Sequence, residues 1–117
     1  MSKNCAETAV AYYTEMSRKN LAGMEKHLHP DVQFSSPVMQ LKGKDAVLEA
    51  ASRLVTFFKT LTIRANFGTE KQAMLAIDID FPAPIGNLPS AALLTCNDGL
   101  ISRIELFFDP RIMEKKT

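Results

Sequence analysis

Residues 73–108 read AMLAIDIDFPAPIGNLPSAALLTCNDGLISRIELFF, and the fold turns on how this stretch is divided. Side chains of alternating character cover Ala73–Phe81, Ser90–Cys96 and Leu100–Phe108, and the same period of two runs through the preceding Thr62–Gly68. A pleated strand sends successive side chains to opposite faces, so these four runs are read as strands. The breaks at Thr69–Gln72 and Asn97–Gly99 are short enough for hairpins. Asp98-Gly99 is the stronger signal, because a tight hairpin turn needs positive φ and glycine supplies it without steric cost. Pro82 to Pro89 contains three prolines, which cannot donate to a ladder, and is read as a loop.

Working outward, the period changes. Cys5–Ser17 sets Cys5, Ala9, Tyr12 and Met16 on one stripe, with Ala6, Val10 and Tyr13 beside it, which predicts an amphipathic helix. Asn20 is placed to cap a second, short helix carrying Leu21, Met24 and Leu28, with Pro30 ending it. Asp31–Pro37 alternates again, Val32 and Phe34 against Gln33 and Ser35, and is read as a strand. After a loop, Gly43 leads a third helical pattern through Val47, Ala50, Ala51, Leu54 and Phe58. Helices first and an antiparallel meander afterwards make an α+β domain with the helices on one face of the sheet. Three helices cannot cover both faces, so the other is expected to be solvated or paired.

Composition narrows the classes of function. The 117 residues suffice for one core and are read as a single domain, 1–117; 46% are apolar and 23% charged, a globular balance. Net charge is +1, with Lys and Arg scattered among Asp and Glu, so nucleic acid is not an expected partner. The opening MSKNCAETAV lacks the apolar run of a signal peptide and no later run approaches a membrane span, which gives an expectation of a cytoplasmic protein without a membrane partner. Cys5 and Cys96 have neither disulfide-framework nor zinc-ligand spacing and are expected to be reduced, buried thiols. His27 and His29 flank the end of the second helix without a third ligand at suitable spacing. No metal or cofactor is expected, and His29 is placed to meet the helix's last carbonyls.

The order of elements resembles the nuclear transport factor two and SnoaL-like superfamily along nearly the whole chain. "YYTEMSRKNLAGMEKHLHPDVQFSSP" is similar to its opening helix, small helix and Pro-terminated strand, "LKGKDAV" to its turn into the third helix, and "NDGLISRIELFFDPR" to its final hairpin and strand. The resemblance implies a cystatin-like cone in which three N-terminal helices pack on a strongly curved, mostly antiparallel sheet around a pocket. It leaves function open, since the superfamily holds enzymes, carriers and interaction proteins. Ketosteroid isomerases resemble the chain in a helix-one Tyr, which falls at Tyr12, but their base is an Asp where this chain has Ser36, and their second acid falls near Ala91. A serine hydroxyl cannot shuttle a carbon-bound proton as a carboxylate does. The Asp–Arg–Asp set of limonene epoxide hydrolases is also missing, with Leu106 at one Asp and no Arg in Ala73–Phe81.

Asp78 and Asp80 remain. Periodicity alone puts Leu75, Ile77, Ile79 and Phe81 against the helices and both acids outside. The resemblance implies the opposite phase, with Met74, Ala76, Asp78 and Asp80 in the pocket and Asp78 or Asp80 as the proton carrier beside Tyr12 and Ser36. The expected ligand wall is Met16, Phe34, Ser36, Phe58, Leu93, Thr95, Ile104, Leu106 and Phe108. Arg103 and Glu105 are read as a surface pair, and Asp109 as a cap on the end of the sheet. The expected ligand is a small apolar molecule, up to steroid size, bound with or without acid–base chemistry of isomerase, cyclase or hydratase type; the alternative is a dimeric interaction module with a filled core and no ligand. A homodimer is expected through the outer sheet face.

Overall fold

The structure, a computed structural model, describes residues 4–114. Helix α1 spans Cys5–Ser17, as its stripe predicts, and begins with a reciprocal cap. The Asn4 side chain accepts from Glu7 N at 2.9 Å and Asn4 N donates to Glu7 Oε1 at 3.2 Å, which satisfies two of the donors a helix start leaves open. Cys5, Thr8, Ala9, Tyr12, Tyr13 and Met16 form its buried face. Helix α2, Leu21–Glu25, is capped by Asn20, whose side chain accepts from Gly23 N.

The chain leaves α2 sooner than the sequence predicts. Strand β1 runs Leu28–Ser35 and includes Pro30. Its pairing with the last strand is interrupted between Leu28 and Gln33, so Pro30 sits where no regular ladder requires its missing N–H. His29 is therefore in β1, its Nδ1 accepting from Asp31 N at 3.0 Å, and it does not cap α2. A short β2, Gln40–Lys42, turns back on β1 where the sequence suggests only loop. Helix α3 covers Lys44–Val55 after Gly43, whose φ of 93° is open to glycine without strain. Phe58 lies beyond its end.

Strands β3 (Thr60–Gly68), β4 (Gln72–Asp80), β5 (Asn87–Asn97) and β6 (Leu100–Phe108) complete the sheet. The order across it is β2-β1-β6-β5-β4-β3, antiparallel except for β1 against β6. Asp98 and Gly99, at φ 55° and 78°, form the two-residue turn that joins β5 to β6. Pro89 falls within β5, against the reading of a loop as far as that residue. It is tolerated because pairing to β6 ends at Ser90↔Phe108, so its missing N–H deprives β6 of nothing. A 3-10 turn, Pro110–Glu114, follows β6. One core joins α1, α3 and the inner sheet face through Leu75, Ile77, Ile79, Ala92, Leu94 and Ile104.

The cysteines overturn the expectation of two thiols: Cys5 and Cys96 are joined as a disulfide, with Cα atoms 5.6 Å apart. A separation of 91 residues hides this proximity in the sequence. The fold creates it by docking the first turn of α1 beside the end of β5. Cys5 N donates to the carbonyls of Thr69 and Glu70 in the β3–β4 turn, and Cys96 N to Lys71 O. Gly68 permits this approach, since a Cβ there would lie 3.0 Å from that of Ala6 and 2.7 Å from Gln72 O. Closing so long a loop restricts the unfolded chain, worth about 2–4 kcal/mol in typical cases. Reductant should therefore lower the urea midpoint of the wild-type protein and leave that of the Cys5→Ala/Cys96→Ala double variant unchanged. An equal response, or none in either, would show that the bond contributes no stability.

Candidate functional site

The candidate site is a cavity of about 200 Å³ between α1, α3 and the inner sheet face. Helix α1 contributes Tyr12, Tyr13 and Met16, and α3 contributes Val47, Ala50, Ala51 and Leu54. The sheet supplies Phe34, Ile79, Leu88, Ile104, Leu106 and Phe108 among others. Space exists here because α3 presents alanines where larger side chains would meet the tyrosine rings. Val38 and Met39, both exposed, form a lip at the turn between β1 and β2.

Six of the predicted wall residues meet at this cavity: Met16, Phe34, Ser36, Ile104, Leu106 and Phe108. Tyr12 joins them. Ser36 is committed to the lip, its Oγ accepting from Val38 N at 3.2 Å and Met39 N at 3.3 Å. Phe58 is buried elsewhere in the core, its carbonyl accepting from Lys19 Nζ at 2.7 Å while that ammonium lies 4.8 Å from its ring centroid. Leu93 and Thr95 belong to the outer face, because their neighbours Ala92 and Leu94 are the buried members of β5.

Asp78 and Asp80 do not enter the pocket. Leu75, Ile77 and Ile79 occupy the inner face of β4, so the acids alternate to the outside, as periodicity alone requires. Asp78 pairs there with Arg64, Nε to Oδ2 3.2 Å, and both side chains are open to solvent. Such a pair is worth about 0–1 kcal/mol. Arg103 and Glu105 are a surface pair at 3.5 Å. Asp109 caps the start of the 3-10 turn, accepting from Arg111 N, and the Arg111 guanidinium holds its carboxyl down to about 2. Among the described residues no group of three or more His, Cys, Asp or Glu could hold a metal ion. A wider, more polar depression of about 460 Å³ lies on the surface over β2, β1 and β6, lined by Gln33, Ser35, Gln40, Lys42 and Arg103. Its polar side chains are largely solvated, so the apolar cavity is the better binding site.

Tyr13, which the sequence leaves open between core and cavity, lines the site, as do Val47, Ala50, Ala51 and Leu54 of α3, which the sequence does not assign to it. Its ring meets that of Tyr12 edge to face, centroids 5.1 Å apart, and the two residues are only 4% and 2% exposed. Among the described residues no protein group hydrogen-bonds either hydroxyl, yet no fully enclosed side-chain oxygen lacks a partner. Both residues line this cavity. Burial raises both phenols well above their ordinary value, and Tyr12 raises Tyr13 further. A folded-state pKa above the unfolded one leaves stability intact below about pH 10 and removes it as pH rises further. With two tyrosines and no tryptophan in the chain, near-ultraviolet phenolate absorbance reads these groups directly. It should appear only together with alkaline unfolding; a phenolate titrating near pH 10 in the folded protein would show an open, hydrated site.

Comparison with known proteins agrees with this architecture. A protein from Kribbella flavida is 23% identical, with a TM-score of 0.90 over 97% of this chain and 93% of that one. A steroid delta-isomerase from Pseudomonas aeruginosa is 21% identical, TM-score 0.76, over 94% of this chain and 82% of that one. An epoxide hydrolase-like protein from M. tuberculosis is 12% identical, TM-score 0.76, over 94% and 86%. At these identities the likeness shows a shared fold. A search of curated proteins gave no match. The profile of the SnoaL-like domain matches residues 9–104, from the second turn of α1 to the middle of β6, and the chain belongs to the SnoaL-like domain family.

Proposed function

We propose that this protein binds a small, largely apolar molecule in the cavity between α1, α3 and the sheet, without acid–base chemistry by Asp78 or Asp80. One observation carries the reading: among the described residues the cavity wall is apolar apart from Tyr12, Tyr13 and Ser36, and holds no carboxylate, imidazole or ammonium group. Apolar walls favour an apolar ligand through the surface it removes from water, at about 25 cal/mol per Å². Proton transfer at carbon needs a group that changes charge at working pH, and tyrosines buried so completely stay neutral. The fold is shared with an isomerase and a hydrolase-like protein, and it is the site that separates binding from catalysis here.

We further propose that a second copy of the chain covers the outer sheet face. Phe67, Met74 and Leu93 are register neighbours across β3, β4 and β5, and Ala65, Ala76, Ala91 and Phe107 form the adjoining row. Phe67 is 71% exposed and Phe107 48%. This apolar field is flanked by the Arg64–Asp78 and Arg103–Glu105 pairs, an arrangement suited to a self-complementary interface. A cytoplasmic placement carries a condition: a reducing cytosol would keep Cys5 and Cys96 as thiols, whereas their bond persists in an oxidising compartment.

Small apolar ligands should raise the melting temperature, since a ligand at a hundredfold excess over its Kd adds about 2.7 kcal/mol to native stability. Ala50→Phe, which fills the cavity from α3, should abolish the shift. Asp78→Asn and Asp80→Asn should preserve it and change stability by less than about 0.5 kcal/mol. A shift unaffected by Ala50→Phe would move binding elsewhere, and loss of the shift in Asp80→Asn would return the acids to the site. Light scattering across dilution should give a dimer that Phe67→Lys converts to monomer. A monomeric wild type at high concentration would reject the second copy.

A further inference from the structure

We propose that the Cys5–Cys96 bond is a thiol-responsive clasp: a small thiol opens it by attack at Cys96, and opening frees the first turn of α1 and the β3–β4 turn without unfolding the sheet.

Three segments remote in sequence meet at this bond. Cys5 is the first residue of α1, and Cys96 lies one residue from the end of β5. Both reach the turn from β3 to β4: Cys5 N donates to the carbonyls of Thr69 and Glu70, each at 3.1 Å, and Cys96 N to that of Lys71 at 2.8 Å. The bond therefore joins two residues that already hold one turn by their backbones. Glu70 and Lys71 are exposed, and pairing of β5 with β6 slips between Thr95 and Cys96, so the cross-link sits where regular sheet ends. A tie at such a place governs local order, because the hydrogen bonds it supplements are ones solvent can reach. Strands β4 and β5 need no such tie, being paired from Gln72↔Thr95 to Asp80↔Asn87.

The two cysteines differ in access. Cys5 is 1% exposed and belongs to the buried core, whereas Cys96 is only partly buried against it. A thiolate cleaves a disulfide by attacking one sulfur and displacing the other, so the sulfur it can reach decides the products. Here the reachable one belongs to Cys96. The thiolate bonds to Cys96 Sγ, the bond between the cysteines breaks, and Cys5 leaves with the electron pair and takes a proton from water. A second thiolate attacks the added sulfur, giving the small-molecule disulfide and a Cys96 thiolate, so two external thiols supply the two electrons. Leu94 O lies 3.8 Å from Cys5 Sγ and can accept from the thiol so formed, which keeps Cys5 in place for reclosure. The chain has two cysteines in all, so no third thiol of its own can divert the exchange. The clasp is thereby closed in an oxidising compartment and open where glutathione is abundant.

Treatment of the native protein with millimolar glutathione, quenching with iodoacetamide and peptide mapping by mass spectrometry test the first step. Glutathione on Cys96 with carbamidomethyl on Cys5 should exceed the reverse arrangement about 10-fold or more. Adducts shared equally, or found chiefly on Cys5, would overturn attack at Cys96. A bond that resists glutathione in the native protein and yields only once urea is added would overturn the clasp and leave a purely structural cross-link. Amide order parameters from NMR, measured on protein reduced by a phosphine, test the second step. Those of residues 5–8 and 69–71 should fall from about 0.85, the rigid value, to below about 0.6, while those of β4 hold. The Cys5→Ala/Cys96→Ala variant should show the same local fall without reductant. Order parameters unchanged throughout, or falling in β4 as well, would overturn the local release.

Discussion

Register in β4 is the constraint on which the site depends. The strand is paired along its whole length on both sides, Ile77 opposite Ile63 of β3 and Ser90 of β5. With a side-chain period of two, a slip of one residue would exchange its faces. Leu75, Ile77 and Ile79 would then meet solvent, and Asp78 and Asp80 would be pressed under the helices without counter-ions. Burying an unpaired carboxylate costs several kcal/mol, more than any surface pair returns. The same apolar set that secures the core therefore keeps Asp78 and Asp80 out of the pocket.

Much of the fold is legible in this sequence because its periods are clean. Helix α1, the strand ending at Phe108, the Asp98-Gly99 turn and the Asn20 cap all follow from local chemistry. The resemblance to isomerases misleads at β4 for a specific reason: counting positions along a related pattern is accurate only to a residue or so, and one residue is enough to exchange inside for outside. Irregularities between Ile63 and Ala65 in β3 and between Thr95 and Cys96 in β5 shift register in this part of the sheet. Periodicity within β4 itself is immune to such shifts and gives the correct face. The Cys5–Cys96 bond and strand β2 were illegible for another reason, since each is defined by tertiary proximity: one by two ends of the chain meeting, the other by a turn at Ser36.

Tyr13 shows how a site residue escapes a pattern reading. Neighbouring helix positions differ by about 100°, so a narrow stripe through Cys5, Ala9, Tyr12 and Met16 leaves Tyr13 at its margin. The margin becomes interior because α3 approaches with Val47, Ala50 and Ala51, and small side chains leave room for a second ring. The signal lies in the pairing of large aromatics on one helix with alanines on another. Neither sequence segment reveals it alone.

The placement of Tyr12 and Tyr13 follows from how α1 is anchored. Tyr12 lies about 10 Å along α1 from Cys5, at 1.5 Å per residue, and the helix start is held by its cap, by the carbonyls of Thr69 and Glu70 and by the bond to Cys96. Their edge-to-face packing removes much of the freedom the rings would otherwise have. Side chains held this way lose less freedom on meeting a ligand than those of a mobile loop. Such rigidity also limits what can bind, because a wall set by a capped helix and a doubly paired strand cannot widen for a longer molecule without breaking the contacts that define it. One part of the boundary outside helix and sheet is the lip at Val38 and Met39, where turn hydrogen bonds to Ser36 replace a sheet ladder.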